Sequence, residues 1–523
     1  MKKRFIIIIT ALVLLISLLL TQGIMAIAAS GDEATTREEL LRVCDNDYRS
    51  RTETVYKDIN GKDVTVYGLY VEFNEAQNNP NFAQALMISQ CMRYKEKYPE
   101  RDVSISIQSF HFSVYLAACV DPANENYGKM KNLYEGDRSA DGYVRLSALL
   151  VEAAKMGIDV VVVGQIDASP VYVGELIVPD FSFKQYFNAR LSDDAVGGKK
   201  VSDYMKFGAC DWTSYGDKSA ADMMHNKTCT VSNYIDNDGV EHGAAIWTGS
   251  INLDGIDSKG LNGNNSIQTA VVITEHEELR RAMYNYASLM VDYCDQSDIV
   301  PFRDTVIKRT NEQMRYILSG LYYEIPENER ILYLGTETDP VFELYFTPLG
   351  GDYSTWDTDF NPYAKYVQKL YNAAEGGERI ELIWNNVKFN QTFEFADILV
   401  EAMAEAFKTS KNKSNILHLH LPGLAGTEFE GLQEGENIGY INVNKTFRYY
   451  HIKDLQLSYV ENGQRQYITI LNSLNFHEGS SYHQTNTFLV IKENERVGNS
   501  FYVEYATITT PELNLLENRI KAK

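Results

Sequence analysis

Apolar and polar positions alternate along two long stretches of the chain in ways that predict strands and helices. In the first stretch, residues 63–73 alternate as a strand does, and residues 79–99 carry apolar side chains at helical spacing. Residues 102–112 predict a second strand, and residues 144–165 predict a helix closed by Gly157 and followed by an apolar strand. Continuously apolar strands that alternate with helices are typical of an α/β sheet covered on both faces.

The second stretch repeats this order. Strands are predicted over 340–350, 379–389 and 415–423. Helices are predicted over 361–377 and 393–407. The sequences LLVEAA and ILVEAM fall at equivalent places in the two stretches. A duplication of this kind predicts an α/β fold of two similar lobes, each a mixed sheet flanked by helices, related by a pseudo-twofold axis.

The N-terminus differs from both stretches. A basic start, MKKRF, precedes an uninterrupted apolar run, and Ala26 and Ala28 stand at the small-residue positions of a cleavage site. Residues 1–29 are therefore predicted to be a secretory signal of bacterial type, and the alternative is an uncleaved membrane anchor. In either case the rest of the chain is expected to be secreted or at the cell surface. The predicted linker, N-terminal lobe and C-terminal lobe are, in that order, residues 30–54, 55–305 and 306–523.

Composition narrows the class of protein. Hydrophobic residues make up 44% and charged residues 23% of the 523-residue chain, which is typical of a folded protein with more than one domain. The formal net charge of −22 argues against a nonspecific nucleic-acid binder, because an acidic surface repels a polyanion at long range. The acidic net charge does not exclude a small basic pocket that holds one phosphate. The six cysteines show no zinc-ligand spacing, and Cys229 is interpreted as a buried thiol.

A His-x-Lys pattern occurs once in each repeated stretch, on a predicted strand. The first copy is His225 and Lys227, and the second is His451 and Lys453. Alternation along a strand puts the histidine and the lysine on one face. Each copy is followed by a hairpin whose return strand ends in Ser-x-Asn, so that an asparagine comes beside each pair. The residues of these two later patterns are Ser250, Asn252, Ser473 and Asn475.

These residue types suit the binding and displacement of one phosphate group. Lysine supplies positive charge, asparagine supplies N–H donors, and histidine is left for nucleophilic or proton-transfer work. Two such sets related by a pseudo-twofold axis would put two histidines on opposite sides of one phosphorus atom. One histidine could then attack while the other protonates the leaving oxygen.

Two His-x-Lys sets, each followed by Ser-x-Asn in a duplicated α/β chain, resemble the phospholipase D superfamily, whose motif reads H-x-K-x(4)-D and then G-S-x-N. The resemblance covers most of residues 55–510. It implies a covalent phosphohistidine, formed on His225 while His451 acts as general acid, with no metal and no other cofactor. It also implies catalytic lysines, phosphate-binding residues and histidine-orienting residues. These are, in that order, Lys227 and Lys453; Asn252, Asn475, Ser250 and Ser473; and Gln268 and Asn486.

The chain departs from the family motif in three places. The motif aspartate is Ser232 in one half and Ser458 in the other, and Asn472 stands where glycine is usual in the second copy. The tyrosyl-DNA phosphodiesterase branch of the superfamily also lacks the aspartate while keeping histidine, lysine and asparagine. The loss of the aspartates therefore need not abolish catalysis, and the departures predict a divergent member whose specificity is not that of a standard phospholipase.

The expected function is that of an exported phosphodiesterase that hydrolyses or transfers a phosphodiester. Phospholipid head groups are the favoured substrate class, with peripheral contact to a membrane surface. One alternative is an exported nuclease of the same superfamily, which the acidic net charge disfavours. Another is a non-catalytic protein that keeps the fold and binds phosphate, which the two missing aspartates would explain.

Overall fold

The computed structural model of the chain describes most of the two repeated stretches; the N-terminal segment and several connections lie outside the described residues. The described residues are 52–57, 63–70, 80–110, 112–119, 124–125, 130–132, 142–165, 171–173, 176–178, 186–210, 223–253, 269–293, 331–332, 342–346, 362–385, 394–419, 428–432, 438–440, 453–473 and 484–493. The predicted signal segment lies outside these ranges. No helix within them is long and apolar enough to cross a membrane.

The elements of secondary structure follow the predicted order. In the first half the strands are β1 (Thr52–Lys57), β2 (Asp63–Tyr70), β3 (Ser104–Ser109), β4 (Leu116–Cys119), β5 (Met130–Asn132), β6 (Tyr143–Arg145), β7 (Asp159–Gln165), β8 (Val171–Val173), β9 (Leu176–Val178), β10 (Ala195–Val196), β11 (Lys199–Lys200), β12 (Met205–Cys210), β13 (Met223–Met224), β14 (Lys227–Val231), β15 (Tyr234–Ile235), β16 (Glu241–His242), β17 (Ala245–Gly249) and β18 (Thr269–Thr274). In the second half they are β19 (Ile331–Leu332), β20 (Phe342–Phe346), β21 (Glu381–Asn385), β22 (Ile416–Leu419), β23 (Ile438–Tyr440), β24 (Asp454–Glu461), β25 (Gln464–Asn472), β26 (Gln484–Thr485) and β27 (Thr487–Glu493). The helices are α1 (Pro80–Lys97), α2 (Leu146–Lys155), α3 (Glu277–Tyr293), α4 (Pro362–Glu375) and α5 (Glu394–Thr409).

Each half of the chain builds an eight-stranded mixed sheet, and the two sheets have the same topology. Their strand orders are β1-β2-β18-β17-β14-β3-β7-β12 and β19-β20-β27-β25-β24-β21-β22-β23. The strands β3, β7 and β12 run parallel, as do β21, β22 and β23, while β14 and β24 are antiparallel to both neighbours. The predicted fold class, two similar α/β lobes with mixed sheets, is therefore confirmed.

The strand β7 shows why the sheet is covered on both faces. Successive side chains on a strand point to opposite faces, so an unbroken run of valines needs apolar neighbours on each side. Val160 and Val162 pack with residues of α1 and α2. Val161 and Val163 pack with residues of α3 on the other face. An alternating apolar and polar strand would not have needed both layers.

The end of α2 follows the signal in the sequence. Gly157 has φ +80°, a left-handed conformation that favours glycine, and its N–H donates to the carbonyl of Ala154 at 2.9 Å. A Cβ at this position would come 3.3 Å from a methyl group of Val196. Glycine at this position therefore ends the helix and leaves space for the side chain of Val196.

The two lobes share part of their apolar core. Residues of the first lobe, including Met224 and Val271, pack in one cluster with Leu471, Leu489 and Ile491 of the second. The short strands β13 and β26, one from each lobe, pair in parallel at the same junction. These contacts fix the position of one lobe against the other next to the His-x-Lys copy of the first lobe.

A few features differ from the sequence predictions or go beyond them. The strand β1 begins at Thr52, inside the segment 30–54 that the sequence predicts to be a linker. The strand predicted over 102–112 ends at Ser109. A small three-stranded sheet, β5-β4-β6, had no signal in the pattern. Cys229 is fully buried and burial raises the pKa of its thiol, as its interpretation as a buried thiol requires.

Candidate active site

The first His-x-Lys copy lies at the centre of the N-terminal sheet, where β14 begins between β3 and β17. His225 and Lys227 are 3% and 1% exposed. The Nζ of Lys227 lies 3.4 Å from Nε2 of His225 and donates to the main-chain carbonyl of His225 at 3.0 Å. A buried ammonium group is thus held against the imidazole, as the spacing of the two residues predicts.

The other nitrogen of His225 is held by the second lobe. Its Nδ1 lies 2.8 Å from Oδ1 of Asn486, the residue just before β27. The same Oδ1 accepts a hydrogen bond from the hydroxyl of Ser473 at 3.1 Å. Because an amide oxygen only accepts, Nδ1 carries the proton and the lone pair of the ring is on Nε2, beside Lys227.

Asn486 was predicted to orient a histidine, and the histidine that it contacts belongs to the other lobe. Ser473, predicted to bind phosphate, is fully buried; its hydroxyl also accepts the N–H of Thr487 at 3.2 Å. Both of these bonds hold Asn486 and the start of β27 in place. Ser473 is therefore linked to His225 by hydrogen bonds through Asn486, and direct binding of phosphate by Ser473 stays a prediction.

Ser250 and Asn252 follow β17 and are buried at the same end of the sheet. The carbonyl of Asn252 accepts from Nδ2 of Asn81 at the start of α1, at 2.8 Å. The next N–H, that of Leu253, donates to the hydroxyl of Ser109 at 3.0 Å. Since Ser109 is the register partner of Lys227, these bonds hold the Ser-x-Asn turn at the edge where His225 and Lys227 lie.

Phe110 is a neighbour of the site that the sequence analysis did not find. Its ring centroid lies 4.8 Å from that of His225, with the two planes inclined by 55°. The Nζ of Lys227 lies 5.4 Å from the same centroid, within the range of a cation–π interaction. The position of Phe110, directly after β3 and next to the register partner of Lys227, could have indicated this contact.

The second His-x-Lys copy is described only in part. Lys453 is 2% exposed and directly precedes β24, which corresponds to β14 in the strand order. The other residues predicted for this part of the site, His451, Asn475 and Gln268, lie outside the described residues. Their roles remain predictions.

The serines at the motif-aspartate positions lie several residues along the strand from the histidine and lysine of each motif. Ser232 comes five residues after Lys227, about 17 Å along an extended strand. Its hydroxyl accepts the N–H of Ser104 at 3.0 Å. In the second lobe, the hydroxyl of Ser458 accepts from Nη1 of Arg465 at 3.0 Å. Both serines bond within their own lobe, so the missing aspartates remove no group from the surroundings of His225.

A cavity of about 520 Å³ opens at this far end, between Ser232 and α3. Its lining contains three carboxylates and two guanidinium groups, and one of these, that of Arg280, is bound by Glu277 and by the hydroxyl of Ser104. Burial raises the pKa of Asp159, another lining residue. A surplus of carboxylates makes this cavity unsuited to a phosphate, and it is separate from the cluster around His225.

The described residues contain no group of three or more His, Cys, Asp or Glu side chains arranged to hold a metal ion. The polar groups around His225 are an ammonium, amides and hydroxyls. This donor set suits an oxyanion better than a cation.

Comparisons with known proteins give matches in structure alone. No family model matches the chain, and no curated protein matches it in sequence. Among solved structures it is similar to polyphosphate kinase from Porphyromonas gingivalis, with a TM-score of 0.40 and 10% identity over 82% of this chain and 44% of the kinase. It is also similar to phosphatidylserine synthase from Haemophilus influenzae Rd KW20, with a TM-score of 0.44 and 10% identity over 89% and 88% of the two chains.

A third similar structure is Nuc from Salmonella typhimurium, a phospholipase D family member, with a TM-score of 0.21 and 15% identity over 43% of this chain and 92% of Nuc. The chain spans less than half the length of the polyphosphate kinase. Of these three proteins, Nuc is the one described as a phospholipase D family member. The order and register of the two sheets define the fold of this chain as two similar α/β lobes.

Proposed function

We propose that this protein is a phosphodiesterase of the phospholipase D type. The observation that supports it is the setting of His225: an amide oxygen of the opposite lobe binds Nδ1, and Nζ of Lys227 lies 3.4 Å from Nε2. An imidazole fixed in this tautomer has its nucleophilic lone pair next to a group that attracts a phosphate oxyanion.

The reaction would proceed by two displacements at phosphorus. The Nε2 of His225 attacks and forms a P–N bond while the P–O bond to the leaving group breaks, and His451 donates a proton to the departing oxygen. Water then attacks phosphorus, gives its proton to His451, and releases the phosphomonoester as the P–N bond breaks. Lys227 and Lys453 neutralise charge on the phosphoryl oxygens throughout. If an alcohol replaces water, the same steps transfer the phosphoryl group.

The proposed substrates are phosphodiesters outside the cytoplasm, with phospholipid head groups favoured over nucleic acid. Two features of the sequence support this choice: the predicted export signal and the net charge of −22, which repels a polyanion. Peripheral contact with a membrane surface is part of the proposal, since a head group is reached only there.

The test is hydrolysis of bis(p-nitrophenyl) phosphate by the full chain and by His225→Ala, with and without EDTA. Turnover by the wild type, loss in His225→Ala and indifference to EDTA are expected; His242→Ala, a change on the β16 hairpin, is the matched control. Unchanged turnover in His225→Ala would refute the proposal. Head-group release from vesicles, set beside release of acid-soluble nucleotides from DNA, separates a phospholipase from a nuclease. Phosphate binding without a phosphohistidine would favour a non-catalytic protein.

A further inference from the structure

Consecutive residues of one lobe face consecutive residues of the other beside His225. The strands β13 and β26 pair in parallel, with Met223 opposite Gln484 and Met224 opposite Thr485. The next two positions are joined through their side chains: His225 with Asn486, and Asn226 with Thr487. Both of these pairs are 261 residues apart in the sequence. The residue-by-residue pairing of β13 with β26 therefore continues for two more positions, where side-chain hydrogen bonds replace the main-chain pairing.

Asn226, the middle residue of the His-x-Lys pattern, is fully buried and bonded at both ends of its amide. Its Oδ1 accepts the hydroxyl proton of Thr487 at 3.1 Å, across the lobe junction. Its Nδ2 donates to Oε1 of Gln108 on β3 at 3.0 Å, within its own lobe. The hydroxyl of Tyr286, on α3, also forms a hydrogen bond with this amide. Asn226 thus ties the second lobe to two elements of the first.

The orientations of these two amides depend on each other. Nε2 of Gln108 donates to the hydroxyl of Thr228 at 3.2 Å, and its Oε1 faces Asn226. With Oε1 in this place, Nδ2 of Asn226 faces Gln108 and its Oδ1 faces Thr487. Reversing one buried amide would leave its partners unsatisfied, which makes such a network rigid.

We propose that Asn226 and Thr487 are positioning residues that set the register of the two lobes at His225. In the observed register the imidazole meets the amide oxygen of Asn486, which only accepts a hydrogen bond and so fixes the proton on Nδ1. A slip by one residue would bring Thr485 or Thr487 opposite His225 instead. A hydroxyl both donates and accepts, so it would not select one tautomer. The inference rests on the proposed function for its kinetic consequence, and on the geometry alone for its effect on the imidazole.

The experiment compares Thr487→Val, which keeps the shape and removes the hydroxyl, with Thr487→Ser, which keeps the hydroxyl. The matched control is Thr469→Val, at a fully buried threonine whose hydroxyl accepts from Gln456 inside the second lobe. We expect Thr487→Val to lower kcat on bis(p-nitrophenyl) phosphate roughly 10- to 100-fold, the usual effect of removing an outer hydrogen-bond partner, with little change in KM. Thr487→Ser and Thr469→Val should stay near the wild-type kcat.

A second measurement does not depend on turnover. In the full chain labelled with ¹⁵N-histidine, the ring nitrogens of His225, assigned by their loss in His225→Ala, should report one fixed tautomer with the proton on Nδ1. Thr487→Val should move these shifts towards the averaged values of a free imidazole, and Thr469→Val should not. Asn226→Asp, which replaces a donor by an acceptor opposite Gln108, should act like Thr487→Val and serves if the latter fails to fold.

The two proposals fail in different ways. A wild-type chain that turns over no diester would refute the proposed function, while the ¹⁵N shifts would still test the positioning role. If Thr487→Val matches Thr469→Val in kcat and leaves the His225 shifts unchanged, the positioning role is wrong and the proposed function stands.

Discussion

The two ends of β14 differ in how their polar residues are bound. At the start of the strand, His225 and Lys227 are buried and depend on a partner from the other lobe, Asn486, as well as on each other. At the far end, Ser232 bonds the main chain of the neighbouring strand, and the corresponding Ser458 bonds an arginine of its own lobe. At the start of the strand, hydrogen bonds join the two lobes around His225 and Lys227, whereas at the far end they stay within one lobe.

This difference shows why serine is sufficient at both motif-aspartate positions, which lie away from the His-x-Lys end. At the far end of β24 a carboxylate is still present, but on the adjacent strand: Glu381 is the register partner of Ser458 and pairs with Arg379. The carbonyl of Arg379 in turn accepts from the guanidinium of Arg465, which also bonds Ser458. A serine is sufficient there because Glu381 pairs with Arg379, while Ser458 and a main-chain carbonyl bind Arg465. At the His-x-Lys end, by contrast, no other described residue is seen to replace Asn486 as the partner of Nδ1 of His225.

The largest effect that separates the two ends should come from Lys227→Met. Losing one charged group that stabilises a phosphoryl transition state should lower kcat about 100- to 1,000-fold. Stability should not fall, because methionine fills the space and removes the cost of a buried charge. Kinetics on bis(p-nitrophenyl) phosphate and urea unfolding of both proteins check this. Wild-type activity in the Lys227→Met variant would remove the lysine from the mechanism.

Asn486→Asp should have a smaller effect, visible in the pH dependence. A carboxylate at Nδ1 favours the protonated imidazole, so it raises the pKa of His225 relative to the wild-type protein. Because the neutral ring is the nucleophile in the proposed mechanism, the acidic limb of the kcat/KM profile should move to higher pH. Asn486→Ala, which removes the acceptor and adds no charge, is the control: its rate should fall without that movement. An unmoved limb in Asn486→Asp would mean that the limb belongs to another group.

The smallest effects should come from replacing one serine by alanine at each end of the strand. Ser473→Ala removes the donor that holds Asn486 and should lower kcat roughly 10-fold, at the low end for an outer hydrogen-bond partner. Ser232→Ala removes an acceptor of a main-chain N–H, so it should cost about 1 kcal/mol of stability and leave kcat unchanged. Steady-state kinetics and urea unfolding of both variants measure this. If Ser232→Ala lowers kcat as much as Ser473→Ala does, the two ends do not differ as described.

The alternation of side chains along single elements was enough to predict much of the fold. The valines of β7 required two apolar layers, and both are present. Gly157 marked the end of α2, and the repeated order of elements predicted two sheets with the same topology. Local patterns succeed here because period and turn chemistry act over a few residues. The strand β1 was missed since it lies in a polar segment and is stabilised by pairing with β2.

The candidate site was predictable in its residue types but not in its contacts. His225, Lys227, Asn486 and Ser473 were all named from the motif, and the first three contact one another as a chain of neighbours around the imidazole. The lobe that supplies the partner of His225 was not predictable, because a motif gives no distance between residues in different repeats. Phe110 and Asn226 belong to no sequence motif that predicts a role for them. Phe110 directly follows β3 and Asn226 directly precedes β14, and the contacts of both residues are seen only in the structure.

The sequence by itself determined the duplication and the mixed α/β sheets and supplied the candidate side chains of the site, because each depends on spacing along a continuous chain. The tertiary structure decided which groups meet. Asn486 and Thr487 reach His225 and Asn226 across 261 residues, through a parallel pairing of two short strands and a core that both lobes share. The tautomer of the imidazole follows from that meeting, since only a neighbour in space can accept the proton of Nδ1.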